Sequence, residues 1–360
     1  MRAPRYGQAS LVEVIPSVLA ALGDRTHDNH LALPEAAHAV LVVVDGLGHL
    51  QLQEAAADAP LLAAAADAAG PIDAAFPTTT PCGLASLTLG LPPGRHGLVG
   101  ATFLLPDFDR VLNPLHWQHT PPPVAVQPEP TLFRGTDIPV RSHGPAQYVD
   151  SGLTRVLLDG ATPEPYERFA AARVVARPGT LDYLYLPDLD KAGHLHGPGA
   201  PAWRSALRQV EAHIAALVAG LPPDSIIVVT ADHGMVWVPD DRRIDVDAPE
   251  LQAGVSRMAG EPRMRHLYTA SPAGVQARWH ARLGERAHVL LRSEAVDAGL
   301  VGDADEMLIE RIGDVIAIAR DDWAFTSRLV DPKPSGLRGL HGALTDAELL
   351  VPRAVLRGAA

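Results

Sequence analysis

Seven polar side chains that suit metal ions or phosphate chemistry lie in five short segments of this 360-residue sequence. They are three aspartates, three histidines and one threonine, and they supply oxygen and nitrogen ligands together with a hydroxyl nucleophile. Such a set can hold two neighbouring divalent cations that bind and activate a phosphate ester. No segment is decisive alone, but together they predict a metal-dependent phosphohydrolase. The residues are Asp45, Thr80, Asp190, His194, Asp232, His233 and His341.

One candidate ligand pair lies in the segment Asp190-Lys-Ala-Gly-His194. The two residues are four apart, so on a helical turn they share one face. A carboxylate and an imidazole in that arrangement can chelate one ion. Asp188 competes with Asp190 for the role, and the spacing from His194 favours Asp190. The alternative is an ordinary salt bridge or capping pair.

The other candidate ligands come directly after apolar runs or between glycines. Asp45 follows a β-branched run, and Asp232 and His233 follow another. Gly234 permits the sharp turn that would let both of its neighbours bind one metal. A metal would also compensate the burial of two polar groups beside an apolar strand. His341, near the C-terminus, gives only a weak signal by itself.

The candidate nucleophile is Thr80, which precedes Pro81. We expect Thr80 to be the N-cap of a helix and Pro81 its first residue. A hydroxyl bound to a divalent cation loses its proton more easily, and a helix N-terminus favours a phosphate anion. Thr78 and Thr79 are rival candidates. The alternative is that Thr80 only caps the helix.

Three apolar runs provide the elements that position these residues, at 39–44, 181–186 and 225–230. Continuous apolar, β-branched runs are typical of buried parallel strands. Open α/β sheets place their sites at the carboxyl ends of such strands. Helical patterns at about 50–69 and 202–221 complete an α/β pattern.

The pattern changes between 239 and 302, where short strand and helix signals alternate and charges become more frequent. We interpret this stretch as a small inserted α+β lobe. The remaining residues, 1–238 and 303–360, then form the catalytic core. A strand predicted over 314–319 is expected to return to the core or its edge.

Composition restricts the functional class. The net charge of −12 argues against general affinity for nucleic acid. A single cysteine, Cys82, excludes an intrachain disulfide and fits a reducing compartment. The apolar run 11–23 is too short to span a bilayer, and no signal-peptide pattern is present. We therefore expect a cytoplasmic protein without membrane association; the oligomeric state stays open.

Taken in order, these segments resemble the type I phosphodiesterase/nucleotide pyrophosphatase family of the alkaline phosphatase superfamily. The resemblance implies a three-layer α/β sandwich with a mainly parallel central sheet, and it is weakest over 104–175 and 239–305. The segments that carry it are Val44–Gly46, Phe76–Gly97, Asp190–Pro198, Ala231–Met235 and Leu340–Gly342.

The resemblance also implies roles for the seven residues. One metal would be held by Asp45, Asp232, His233 and the Thr80 oxygen, and a second by Asp190, His194 and His341. Both ions would be zinc, with Mn²⁺ as the alternative. Thr80 would attack phosphorus and form a phospho-enzyme, which water then hydrolyses. The implied activity is cleavage of a phosphodiester or pyrophosphate bond in a small molecule.

One departure leaves the substrate open. Nucleotide pyrophosphatases of this family usually carry Asn three residues after the nucleophile, whereas this chain has Gly83. The alternatives are a phosphomonoesterase or a phosphonate hydrolase on the same scaffold, and a noncatalytic binding protein. A sulfatase is not favoured, because the residues after Cys82 do not form the segment that its modified nucleophile requires.

Overall fold

The computed structural model describes residues 1–117, 120–167 and 174–359. Its strands are β1 (His38–Val44), β2 (Ile72–Asp73), β3 (Phe103–Leu105), β4 (Arg110–Leu112), β5 (Val140–His143), β6 (Thr162–Pro163), β7 (Thr180–Leu186), β8 (Ser225–Thr230), β9 (Val236–Trp237), β10 (Arg243–Asp245), β11 (Arg257–Glu261), β12 (Met264–Tyr268), β13 (Ala287–Leu291), β14 (Val315–Ala319), β15 (Ala324–Thr326), β16 (Gly339–Leu340), β17 (Leu350–Val351) and β18 (Ala354–Arg357). Its α-helices are α1 (Val14–Ala21), α2 (His49–Glu54), α3 (Pro60–Ala69), α4 (Thr80–Leu89), α5 (Pro93–His96), α6 (Pro123–Val126), α7 (Gly152–Leu157), α8 (Asp188–His196), α9 (Pro201–Gly220), α10 (Pro249–Gln252), α11 (Pro272–Leu283), α12 (Arg292–Asp297) and α13 (Asp346–Leu349).

The three apolar runs form the middle of the main sheet, whose strand order is β18-β8-β1-β7-β5-β6. β1 pairs in parallel with β7 on one side and with β8 on the other, and antiparallel β18 covers the β8 edge. Every residue of β1 is buried, so both faces of the sheet are covered. The predicted α/β fold with a mainly parallel central sheet is confirmed.

Two helix expectations need correction. The pattern at 50–69 forms two helices, α2 and α3, because Pro60 starts a new helix at its first turn. The predicted N-cap at Thr80 is wrong by one residue: Thr79 is the N-cap and Thr80 is the first residue of α4. The Thr80 hydroxyl is therefore not required for capping. Within the described residues, no helix has the length and apolar character needed to cross a bilayer.

A second sheet, with the order β11-β12-β14-β13, takes three of its four strands from the region predicted as an inserted lobe, and β14 lies beyond that region. All of its pairings are antiparallel, and it has its own apolar cluster, which includes Trp279 and Phe325. The strand predicted over 314–319 does not join the main sheet, because β14 pairs with β12 and β13. Its Ile316 and Ile318 nevertheless pack in the same apolar core as the main-sheet strands. The second sheet thus extends to Ala319, and the domain limits at 239 and 302 stay a prediction.

Candidate active site

The carboxyl ends of β1, β7 and β8 bring three aspartates to one edge of the main sheet. Asp45 follows β1, and its backbone amide donates to the carbonyl of Leu186 at the end of β7 (3.0 Å). The amide of Gly46 donates to Asp232 Oδ1 (3.2 Å), which joins the ends of β1 and β8. Asp190 lies in the first turn of α8, directly after β7. All three aspartates are buried.

The predicted ligand residues fall into two adjacent clusters. In the first cluster, one ligand atom each of Asp45, Asp232 and His233 lies within 4.8 Å of the others. In the second cluster, Asp190, His194 and His341 meet the same limit. The rings of His233 and His341 stack with their centroids 3.8 Å apart, so the clusters are in contact. Asp188, the competitor of Asp190, is exposed and pairs with Lys191 (3.2 Å).

The Thr80 hydroxyl points into the first cluster, with Oγ1 lying 3.2 Å from His233 Nε2. The rival threonines have other contacts. Thr78 Oγ1 donates to the carbonyl of Ala343 (2.8 Å), and the Thr79 side chain faces Glu261. Among the three threonines, the described contacts place only the Thr80 hydroxyl beside a clustered histidine. The arrangement suits a hydroxyl that attacks a phosphorus atom held at the clusters.

Unpartnered carboxylate oxygens show that the clusters fit cations. Asp45 Oδ1, Asp190 Oδ1 and Asp232 Oδ2 are buried, and none has a hydrogen-bond partner within the described residues. A buried carboxylate oxygen without a donor is costly, and a metal ion removes that cost. Two clusters of carboxylate and imidazole donors are the ligand chemistry of divalent cations such as zinc. The residues present therefore fit two divalent ions.

The electrostatics of the clusters agree with this interpretation. Burial raises the pKa of Asp45 well above its ordinary value, and the nearby Asp232 and Asp190 raise it further. Burial also raises the pKa of Asp190. Burial lowers the pKa of His341 well below its ordinary value, and the neighbouring His233 and His194 add to the effect. A bound cation would offset the cost of burying ionised carboxylates. It would also favour neutral imidazoles, which are the form of histidine that binds metals.

Backbone carbonyls orient all three clustered histidines. His194 Nδ1 lies 2.8 Å from the carbonyl of Gly339, and His341 Nδ1 lies 2.9 Å from that of Thr78. His233 Nδ1 lies 2.9 Å from the carbonyl of Gly234. A carbonyl only accepts, so each Nδ1 carries the proton. Each Nε2 is thereby left with a free lone pair, which is the form that binds a metal.

Sequence reasoning missed two residues that contact the clusters. The Tyr185 hydroxyl donates to Asp45 Oδ2, and the carboxylate of Glu261 lies beside His341. Tyr185 is the next-to-last residue of β7, so its place near the carboxyl edge could have been inferred from the strand pattern. Glu261 comes from the second sheet, and no local signal links it to the site.

Close packing between α4 and the end of β8 requires glycine at position 83. A Cβ atom there would lie 2.4 Å from the carbonyl oxygen of Asp232, which is far inside contact distance. α4 therefore approaches the end of β8 more closely than any larger residue at this position allows. The departure from the family's usual Asn is a feature of how this chain packs Thr80 against the first cluster.

The sequence profile of the type I phosphodiesterase/nucleotide pyrophosphatase family matches residues 39–344, which is most of the chain. The chain belongs to this family. It is accordingly a metal-dependent hydrolase that acts on phosphoester bonds, as the sequence resemblance predicted. No functionally curated protein matches this chain at a significant level.

Solved structures show the same fold. Murine ectonucleotide pyrophosphatase/phosphodiesterase 5 is similar with a TM-score of 0.65 and 17% identity, over 89% of this chain and 88% of the other. An inactive variant of that murine protein, in complex with AMP, is similar with a TM-score of 0.62 and 15% identity, over 88% and 87%. Phosphonoacetate hydrolase from Sinorhizobium meliloti 1021, in complex with phosphonoformate, has a TM-score of 0.65 and 20% identity, over 91% and 92%. The family member described here thus has the fold of the alkaline phosphatase superfamily.

Proposed function

We propose that this chain cleaves a phosphodiester or pyrophosphate bond of a small molecule through a covalent intermediate on Thr80. The observation that carries the proposal is the set of buried, unpartnered carboxylate oxygens beside the Thr80 hydroxyl. Unpaired charges at that depth are costly unless the site binds cations. A hydroxyl in such a site has the surroundings that a phosphoryl-transfer nucleophile needs.

Two divalent ions are the cofactors in this proposal. Asp45, Asp232, His233 and the Thr80 oxygen would hold one ion, and Asp190, His194 and His341 the other. When bound, the ions neutralise charge on the phosphate and make a hydroxyl a better nucleophile. The mixture of imidazole and carboxylate donors favours zinc, while the three carboxylates leave Mn²⁺ as the alternative.

The residues of the chain account for the bonding changes. Thr80 Oγ1 attacks phosphorus, and the bond between phosphorus and the leaving-group oxygen breaks as the Oγ1–P bond forms. The proton that leaves Oγ1 passes through solvent to the departing oxygen, so the first product is an alcohol or a phosphate. Water then attacks phosphorus, breaks the Oγ1–P bond and restores the threonine hydroxyl. The N-terminus of α4, where Thr80 is the first residue, favours the phosphate anion throughout.

The comparisons support a small phosphoester as substrate. The murine relative binds AMP in an inactive variant in which one threonine is replaced by alanine. That description agrees with an essential threonine in this chain as well. The net charge of −12 disfavours nucleic acid as a substrate. Cytoplasmic localisation and the absence of membrane association stay predictions.

The test uses the zinc-loaded protein and the chromogenic diester bis(p-nitrophenyl) phosphate. We expect Thr80→Ala to lower kcat by roughly 10³-fold or more, because both the nucleophile and one cation ligand are lost. Thr88→Ala is the matched control. Thr88 is a buried threonine of the same helix whose hydroxyl donates to the Leu84 carbonyl.

Rapid quenching and mass spectrometry should then locate a phosphoryl group on Thr80 of the wild-type protein. Full activity in Thr80→Ala, or a phosphoryl group on another residue, would refute the threonine mechanism. Absence of hydrolysis of any diester, monoester or phosphonate by the zinc-loaded wild type would refute the function itself.

A second candidate function is phosphonate hydrolysis. It is favoured by the likeness to phosphonoacetate hydrolase, which extends over 91% of this chain. Relative kcat/KM values on a diester, a monoester and phosphonoacetate separate the candidates. A preference for phosphonoacetate would replace diester cleavage as the proposed activity while keeping Thr80 and the two clusters.

A further inference from the structure

The hairpin between β11 and β12 carries a buried carboxylate from the second sheet to the metal clusters. Glu261, the last residue of β11, is only 5% exposed. Its Oε2 lies 3.5 Å from His341 Nδ1. Its Oε1 has no hydrogen-bond partner within the described residues. Burial raises the pKa of Glu261 to about 8, although hydrogen bonds from the Thr79 side chain and the Ala101 backbone oppose the shift. A nearby positive charge, such as a bound cation, therefore keeps this carboxylate ionised at neutral pH.

The backbone beside His341 is shaped to admit this side chain. Gly342 has φ +126°, which residues with a side chain rarely adopt. A Cβ atom at this position would also lie 2.8 Å from the Cγ and Cδ atoms of Glu261. The chain at His341 therefore rests directly on the Glu261 side chain, and no larger residue fits between them.

The hairpin is fixed in place by a second buried charge. Arg263 and Glu348 form an ion pair of 2.7 Å, and both side chains are fully buried. Glu348 Oε1 also accepts from the amide of Ala343 (3.0 Å). The stretch that carries His341 is thus held on both sides, by Glu261 and by the Arg263–Glu348 pair.

We propose that Glu261 is a positioning residue through which the second sheet holds His341 in its metal-binding form. The Thr78 carbonyl accepts the Nδ1 proton of His341, and the negative Glu261 carboxylate stabilises that proton on Nδ1. Nε2 is then free to bind a cation, and the carboxylate adds a negative charge behind the ligand. Mutation of a carboxylate that contacts a metal-binding histidine typically lowers metal affinity by roughly 10–100-fold. The inference rests on the proposed two-metal function.

The experiment is a zinc titration in competition with a chromogenic chelator, at about pH 8.5, above the pKa of about 8 to which burial raises Glu261. We expect the wild type to bind two ions. In Glu261→Gln, binding of one ion should weaken by roughly 10–100-fold while binding of the other is unchanged, because only the cluster with His341 is affected. Asp314→Asn is the control, since Asp314 is a carboxylate of the second sheet whose described contacts are Thr269 and Arg292.

Thermal unfolding of the zinc-free proteins separates positioning from a structural role. If Glu261 only stabilises the hairpin, Glu261→Gln lowers the zinc-free Tm and leaves both zinc affinities unchanged, and the inference is overturned. Equal weakening of both sites overturns it as well. If the wild type binds no zinc, the proposed function fails first, so the two failures are distinguishable.

Glu261→Asp is the second variant, for use where Glu261→Gln does not fold. It keeps the charge but withdraws the carboxylate by one methylene. We expect a smaller loss of affinity at the same site than in the glutamine variant. Wild-type affinity at both sites in Glu261→Asp would contradict a role that depends on contact with His341.

Discussion

Two buried groups of aspartate and histidine lie at opposite ends of the main-sheet strands, and they differ in how their charges are satisfied. Near the amino ends, Asp182 accepts from His38 (2.7 Å), His143 (2.6 Å) and Arg141 (2.5 Å). Burial would raise the pKa of Asp182, but these hydrogen bonds outweigh it and bring the pKa to about 2. At the carboxyl ends, each aspartate of the clusters keeps an oxygen that has no hydrogen-bond partner in the described part of the chain.

The difference separates a structural network from two clusters whose residues could hold metal ions. Asp182 is paired with the chain's own cation, Arg141, and its charge is stable when buried. Asp45 is surrounded by other carboxylates, and burial raises its pKa. Both groups combine aspartate with histidine, so these two residue types alone do not distinguish them. The supply of internal donors does.

The largest expected effect is a loss of activity on substitution of Asp45, at the carboxyl ends of the strands. Asp45→Asn should lower kcat/KM by about 10⁴-fold, or roughly 5.5 kcal/mol, because a cation ligand is lost. The zinc-free variant should unfold at the wild-type temperature or above, since the substitution removes a charge that the fold leaves unpaired. Steady-state kinetics and thermal melts test both parts. A large loss of zinc-free stability would make Asp45 a structural residue like Asp182.

At Asp182, near the amino ends of the strands, we expect a loss of stability and little change in activity. Asp182→Asn should cost about 3–5 kcal/mol of unfolding free energy, because it leaves Arg141 buried without its counter-charge. The kcat of the folded fraction should stay near the wild-type value. Denaturant unfolding and active-site-normalised kinetics measure the two quantities. A selective loss of kcat with normal stability would show that the network acts on the catalytic site.

Metal addition should stabilise the protein through the clusters only. Zinc at about 100 times its dissociation constant should add roughly 2.7 kcal/mol per site. The increment should be the same in Asp182→Asn as in wild type and smaller in Asp45→Asn. Calorimetric melts with and without zinc give the increments. An increment that disappears in Asp182→Asn would place a zinc site at the wrong end of the strands.

The smallest expected effect is in acid. Asp182 has a folded-state pKa of about 2, below the ordinary value of 3.8, so its contribution is present above pH 4 and is lost as pH falls towards 2. The stability difference between wild type and Asp182→Asn should shrink by about 2.5 kcal/mol over that range. Denaturant unfolding of the zinc-free proteins at a series of pH values measures it. A constant difference would contradict an ionised Asp182.

Much of the fold and most of the cluster residues were predictable from the sequence. Continuous apolar runs indicate buried parallel strands, and the carboxyl ends of parallel strands meet at one edge of the sheet. Asp45 follows β1 directly, and Asp232 follows β8 after one residue, Ala231. The spacing of Asp190 and His194 predicted a shared helical face, and both lie in α8.

The remaining features arise from contacts between distant parts of the chain. Glu261 contacts His341 across a hairpin that the buried Arg263–Glu348 pair ties to the stretch after His341. β14 is as apolar as a main-sheet strand, so its sequence did not reveal which sheet it joins. The helix at Thr80 begins one residue earlier than the Thr-Pro pattern indicated, and the hydroxyl that looked like a cap faces the cluster instead.

The carbonyls that fix the three histidines belong to the main chain. Amino-acid replacement leaves a main-chain carbonyl in place as long as the local path of the backbone is kept. Most substitutions in the surrounding side chains therefore leave unchanged which ring nitrogen each histidine offers to a ligand. Residues around the substrate are free to diverge while the reactive centre is inherited intact, which gives one scaffold access to several phosphorus-containing substrates.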